Sequence, residues 1–152
     1  MDKFMLLAID EAKKAVSKRH GGPFGAVVVK DDKVVGVGHN EVLKKHDSTC
    51  HAEIMAIRDA CKNLKTFNLS GCLLYTTAYP CPMCFGAILW SNLEQIYYGC
   101  TTIDAARVGF RDKIFQELSA KQKGAKCVSM SDARDTCLKL YQEYKNSGMD
   151  MC

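Results

Sequence analysis

The 152 residues contain no apolar run approaching the ~20 residues that a membrane-spanning helix needs, no repeat at a period of about 20 to 50 residues and no low-complexity tract. These absences argue against a bilayer-spanning helix, a solenoid and a fibrous chain. Charge of one sign is also lacking: 21 basic residues stand against 17 acidic ones, interspersed, for a net +4. Such a balance neither requires nor excludes a polyanionic partner. No tail or linker stands out, so residues 1–152 read as a single domain. A domain of this length should bury roughly 70% of its unfolded surface. The short apolar run at Phe4 to Ile9 leads into Asp10, Glu11, Lys13 and Lys14, where a secretory signal would show small residues. Cysteine is abundant instead. Nine of them, an odd number scattered through apparent helices and strands, suit a reducing compartment better than a disulfide framework, and a cytoplasmic location is expected.

Two short stretches carry the chemistry: His51-Ala52-Glu53 and Pro80-Cys81-Pro82-Met83-Cys84. A histidine and two cysteines are the nitrogen and sulfur donors that Zn²⁺ prefers, and three protein ligands leave the fourth tetrahedral position for a water. His51, Cys81 and Cys84 are therefore the expected ligands of one catalytic zinc. Glu53 lies near enough to act as a proton carrier without binding the metal. A redox pair or two plain core cysteines are the alternatives for Cys81 and Cys84 taken alone. A structural zinc would need a fourth protein ligand and would leave Glu53 without a role.

Taken in order, Phe4, Leu7, Ala8, Ala12, Ala15 and Val16 recur at helical spacing, and His20-Gly21-Gly22-Pro23 stops that helix. Phe24 to Lys30 and Val34 to His39 are β-branched runs around Asp31-Asp32-Lys33, the pattern of a hairpin. His39 reads as a strand-end residue and Asn40 as a turn residue or an amide facing a ligand. Asp47, Ser48 and Thr49 offer helix caps before an apolar stripe at Ile54, Ile57, Cys61 and Leu64. His51 and Glu53 then fall in a first helical turn, with the metal off the helix end. Gly71 to Thr77 reads as an interior strand delivering the chain to Pro80. Pro82 suits the first position of a helix, which puts Cys81 at or near the cap. That helix runs to about Asn92, a strand follows from Gln95 to Cys100, a loop or short helix covers Thr101 to Asp112, and a helix covers Lys113 to Ala120. Lys126 to Met130 is expected as a fifth strand. Ser131 is expected to cap a last helix whose apolar face holds Ala133, Cys137, Leu140, Tyr141 and Tyr144. The alternation predicts an α/β fold, a three-layer α/β/α sandwich with a five-stranded mixed central sheet.

The signature pair, with Gly22-Pro23-Phe24-Gly25-Ala26, Gly86-Ala87-Ile88 and Asp104-Ala105-Ala106 through Gly109-Phe110, resembles the cytidine-deaminase-like superfamily, and within it most closely the bacterial guanine deaminases. The resemblance spans most of the first 120 residues. It implies zinc on His51, Cys81 and Cys84, proton shuttling by Glu53, and base contacts from Phe24, Asn40, Trp90 and Asp112. It further implies hydrolytic deamination of a small purine, guanine or guanosine, in a homodimer that exchanges its C-terminal segment. Aromatics can sandwich a planar base, while an amide and a carboxylate can pair with its edge. Phe24 and Trp90 also read as core aromatics, and Asp112 as a loop carboxylate or helix cap.

Two departures from the family pattern bear on the pocket. Tyr79 stands before Pro80, where guanine and tRNA adenosine deaminases usually carry glutamate. The chain ends Gly148-Met149-Asp150-Met151-Cys152, where bacterial guanine deaminases close the site with a segment ending in an aromatic. A tRNA adenosine deaminase is the first rival reading, though Arg134, Lys139 and Lys145 mix with Asp132, Asp135 and Glu143 rather than forming a basic track, which makes nucleic acid an unfavoured substrate. A zinc-stabilised binding module without activity is the second.

Overall fold

The two β-branched runs form the expected hairpin. β1 (Gly25–Lys30) pairs antiparallel with β2 (Lys33–His39), and Asp31 and Asp32 make the two-residue turn, both with positive φ (49° and 60°). In the computed structural model, which describes residues 1–121 and 130–149, β1 also pairs antiparallel with β3 (Cys72–Ala78). β3 in turn pairs parallel with β4 (Gln95–Cys100). The mixed sheet therefore has the order β2-β1-β3-β4, four strands among the described residues. The expected fifth strand, Lys126 to Met130, lies outside those residues except for Met130, which precedes the last helix as its cap.

β1 is buried on both faces, and this sets the layers. Val27 and Val29 meet Phe4 and Ala8 of α1 (Lys3–Ser17), while Ala26 and Val28 meet Ala52, Ala56 and Ala60 of α3 (Ala52–Leu64) and, beyond them, Ile88 of α4 (Pro82–Trp90). Burying a valine fully is worth about 1.5–3 kcal/mol relative to exposure, so the three consecutive valines favour a strand covered by helix on both sides. Gly36 and Gly38 allow α3 to approach β2: a Cβ on Gly38 would stand 2.4 Å from the Ala56 nitrogen and 2.6 Å from the Ala52 oxygen. Between β2 and α3 runs a one-turn helix, α2 (Val42–Lys45), that the hydrophobic pattern does not signal.

After β4 come α5 (Thr102–Arg107), opened by a capping box between Thr101 and Asp104, and α6 (Asp112–Ala120), which packs on α5 and α4. The last helix, α7 (Ser131–Asn146), begins at Ser131 itself with Met130 as its cap, so Ser131 is not the cap expected. Of its expected apolar face, the side chains of Ala133, Cys137, Leu140 and Tyr141 lie outside the described residues. No helix among the described residues is long and apolar enough to cross a membrane.

Candidate active site

The strand register collects the important residues at one end of the sheet. Gly25 opposes His39 and Ala78 pairs with Cys100, so Phe24, Asn40 and the Tyr79-Pro80-Cys81 turn all leave the same edge. The Asn40 N–H donates to the Phe24 carbonyl (3.0 Å), and the Glu41 N–H donates to the Cys50 carbonyl (3.0 Å), one residue before His51. The Gly25 N–H donates to Thr77 Oγ1 (3.1 Å), closing the same end from the other side.

His51 and Cys81 are the N-caps of α3 and α4, both with extended backbone (ψ 157° and 167°) and neither with a side-chain capping bond. Asp47 does not cap α3 because its carboxylate accepts from the Thr49 N–H (2.8 Å) and hydroxyl (2.7 Å) in a local turn. Both caps instead direct their side chains to each other: His51 Nδ1 lies 3.5 Å from Cys81 Sγ. The donor atoms of His51, Cys81 and Cys84 all fall within 4.8 Å of one another. A tetrahedral zinc with bonds of about 2.1 Å to nitrogen and 2.3 Å to sulfur separates those donors by about 3.6 Å, so the residues fit the ion.

The electrostatics point the same way. A hydrogen bond from the Cys84 thiol holds Cys81 at a pKa of about 4, against the effect of burial and with further help from His51. Cys84 is pushed well above the ordinary thiol value by its bond to Cys81 and by burial. One thiolate is thus favoured and the second opposed until a cation arrives; the positive ends of α3 and α4 assist both. His51 is raised by its hydrogen bond with Cys81. Glu53, in the first turn of α3, is buried, and that burial raises its carboxyl above the ordinary value. Cys84 Sγ lies 3.5 Å from Glu53 Oε2, placing the carboxyl directly beside the ligand set.

Of the expected base contacts, three reach this end of the sheet. Asn40 is buried, its Oδ1 accepts from the Val42 N–H (3.1 Å), and its Nδ2 donor has no partner among the described residues. Phe24 is partly buried, with Phe110 edge-on at 4.8 Å. Asp112 begins α6, and its carboxyl is raised by burial and then by the charge of Cys81, which marks it as a neighbour of the ligands. Trp90 does not join them within this chain. It ends α4, at the opposite terminus from Cys81 and about 13 Å along the axis from that cap, and it is 72% exposed rather than in the core. Tyr79 packs edge-on against Tyr98 (5.1 Å, 88°). Phe110, known from the sequence only as part of a motif, is an added wall that aromatic content alone would not single out.

A family model of the cytidine and deoxycytidylate deaminase zinc-binding region matches residues 1–100. The chain belongs to this family and is a zinc-dependent aminohydrolase, and the His51, Cys81 and Cys84 cluster just described could hold the ion. Among its members it is similar to guanine deaminase from Bacillus subtilis, 44% identical over 118 residues that span 77% of this chain and 76% of the relative. The crystal structure of that guanine deaminase superposes with a TM-score of 0.86 at 34% identity, covering 100% of this chain and 99% of that one. A tRNA-specific adenosine deaminase from Buchnera aphidicola is 36% identical over 122 residues, 80% of this chain and 79% of the relative. A guanine deaminase structure from Nitrosomonas europaea superposes at a TM-score of 0.67 and 32% identity over 70% of this chain and 62% of that one.

Proposed function

We propose that this chain hydrolyses the exocyclic amine of guanine, giving xanthine and ammonia. The observation that carries the proposal is the placement of Glu53 beside the ligand cluster, with Asn40, Phe24 and Asp112 gathered at the same end of the sheet. Zinc, when bound, supplies Lewis acidity that brings the pKa of a coordinated water towards neutrality. The Glu53 carboxylate takes a proton from water and passes protons to the ring nitrogen and to the departing amine. In balance, one water is consumed, its oxygen joins C2, the C2–N bond breaks and one ammonia leaves. Burial of Glu53 favours the protonated carboxyl during that transfer. Asn40 offers its free Nδ2–H to the acceptor edge of the base, Asp112 accepts from its donor edge, and Phe24 with Phe110 covers one face.

Similarity to tRNA-specific adenosine deaminases favours a second reading, adenosine in tRNA. The full-length superposition on guanine deaminase, against 64% coverage of this chain at a TM-score of 0.62 for a tRNA A34 deaminase, supports the first. A panel of purine and pyrimidine bases, nucleosides and tRNA, scored for ammonia release, tests it. Guanine should turn over fastest, and release from tRNA alone would overturn the proposal. The active unit is a homodimer in this reading, with the α7 segment exchanged between subunits. Exposed apolar side chains on α4, β4 and α6, including Leu89, Trp90, Tyr98, Ile114 and Phe115, support it. Light scattering that found only monomer at micromolar concentration would remove the dimer.

A further inference from the structure

A second group of metal-binding side chains stands behind Asn40 and takes no part in the reaction above. Glu11 of α1, His20 in the loop after α1, His39 at the end of β2 and Glu41 just before α2 converge there. His39 Nδ1 lies 2.8 Å from Glu11 Oε2. A carboxylate only accepts, so Nδ1 carries the proton. In that tautomer His39 Nε2 presents a lone pair, and it faces His20 Nδ1 at 2.9 Å and Glu41 Oε1 at 3.7 Å. The His39 and Glu41 side chains are only 14% and 12% exposed. In the neutral pair His20 Nδ1 donates to His39 Nε2, and a cation taking the place of that proton would meet both nitrogens and the Glu41 carboxylate.

We infer that His20, His39 and Glu41 form a second divalent-cation site, separate from the zinc centre, that takes a borderline first-row cation through two imidazole nitrogens and one carboxylate oxygen. Two bonds of about 2.1 Å at right angles put their donors about 3.0 Å apart, and because the rings lie nearly parallel with centroids 5.2 Å apart and the nitrogens meet head-on, both rings must turn to aim their lone pairs at the ion. All three donor atoms fall within 4.8 Å of one another. Glu11 completes a carboxylate–histidine pair that fixes the His39 tautomer with Nε2 free for metal. Two histidines and one carboxylate leave further positions open for water. On binding, His20 Nδ1 gives up to solvent the proton it otherwise donates to His39 Nε2. Burial and the charge of Lys44 lower the His20 pKa.

Opposing charges are present. Lys14 lies 2.5 Å from Glu11, and Lys44 and Lys45 lie 3.4 and 3.3 Å from Glu41. These lysines are about half exposed (53%, 48% and 46%) and can turn to solvent. Occupancy would tie the loop after α1 and the start of α2 to the end of β2, on both sides of Asn40.

The test uses the full chain already loaded with zinc and titrates it with Co²⁺, read by visible absorption and by metal analysis. One further equivalent per chain should bind, with weak ligand-field bands and no thiolate charge transfer. Saturating Co²⁺ should also raise the melting temperature. His20→Asn and Glu41→Gln should each weaken that equivalent at least about tenfold, and Glu11→Gln by about 10- to 100-fold, with zinc content unchanged at one per chain. Circular dichroism of each variant separates loss of the site from loss of the fold. The proposal is overturned if no second equivalent binds, which would leave a proton-bridged histidine pair, if the bound Co²⁺ shows sulfur charge transfer, or if binding survives both His20→Asn and Glu41→Gln.

Discussion

The two histidine clusters differ in what surrounds them. At the candidate zinc centre the donors are two helix caps and a first-turn residue, Cys84 and Glu53 are buried, and among the described residues no lysine or arginine pairs with them. In the second cluster each carboxylate already has a lysine partner and the donors come from a loop, a strand end and the cap of a one-turn helix. Charge left uncompensated in a buried place demands a cation, whereas compensated charge makes the cation optional. The first site should therefore hold its metal through purification, and the second should exchange it.

The sharpest way to break this contrast is Cys84→Ala, which removes a ligand and leaves Cys81 and His51 unable to close the site. Bound zinc and ammonia release should both fall to background, while Co²⁺ binding at the second cluster persists. Glu53→Gln follows. It keeps size and some hydrogen bonding but cannot carry the proton, so turnover should drop by about 10² to 10⁴ with zinc retained; a loss under about tenfold would take Glu53 out of the mechanism. Gly38→Ala acts on both clusters at once, because its Cβ would press on the Ala52 and Ala56 backbone of α3 while β2 carries His39. Overpacking of this kind is expected to lower stability by about 1–3 kcal/mol in a denaturant titration.

Asp112→Asn should weaken guanine turnover by about 10- to 100-fold, the worth of a hydrogen bond to a charged group, and should affect adenine or cytosine substrates less. Equal losses on all three would give Asp112 a role in the fold. The smallest effect concerns acid stability through Glu11. Burial acts to raise its carboxyl, but hydrogen bonds and charge from Lys14 and His39 outweigh it, and the folded pKa is depressed. Its contribution is thus present above the unfolded value and is lost as pH falls through the folded value. Glu11→Gln should flatten the decline in stability on acidification by less than about 1 kcal/mol, given the solvent exposure of Lys14.

Much of the site could be read from the chain because metal chemistry restricts residue types and spacing. His-x-Glu and Cys-x-x-Cys each place side chains within one helical turn, and Pro82 marks where that turn begins. The β-branched runs and the stripe at Ile54, Ile57, Cys61 and Leu64 likewise carry their own periodicity. The cap of α3 did not. Asp47, Ser48 and Thr49 have capping side chains, yet Asp47 closes a turn on Thr49 and the helix waits until His51. Trp90, expected from the sequence as a base contact or core aromatic, lies exposed in this chain, since whether an apolar residue at a helix end is covered depends on what packs there.

The sequence by itself named the candidate ligands His51, Cys81 and Cys84, the candidate proton carrier Glu53 and most of the strands and helices, because each short motif or stripe rests on residue types a few positions apart. Tertiary structure alone decided that the caps of α3 and α4 meet, that Phe110 stands against Phe24, and that His39 bridges Glu11 with His20. Those contacts join residues 19 to 86 positions apart. No local periodicity encodes them; they follow from the strand register, which brings the carboxyl ends of β2, β3 and β4 to one edge.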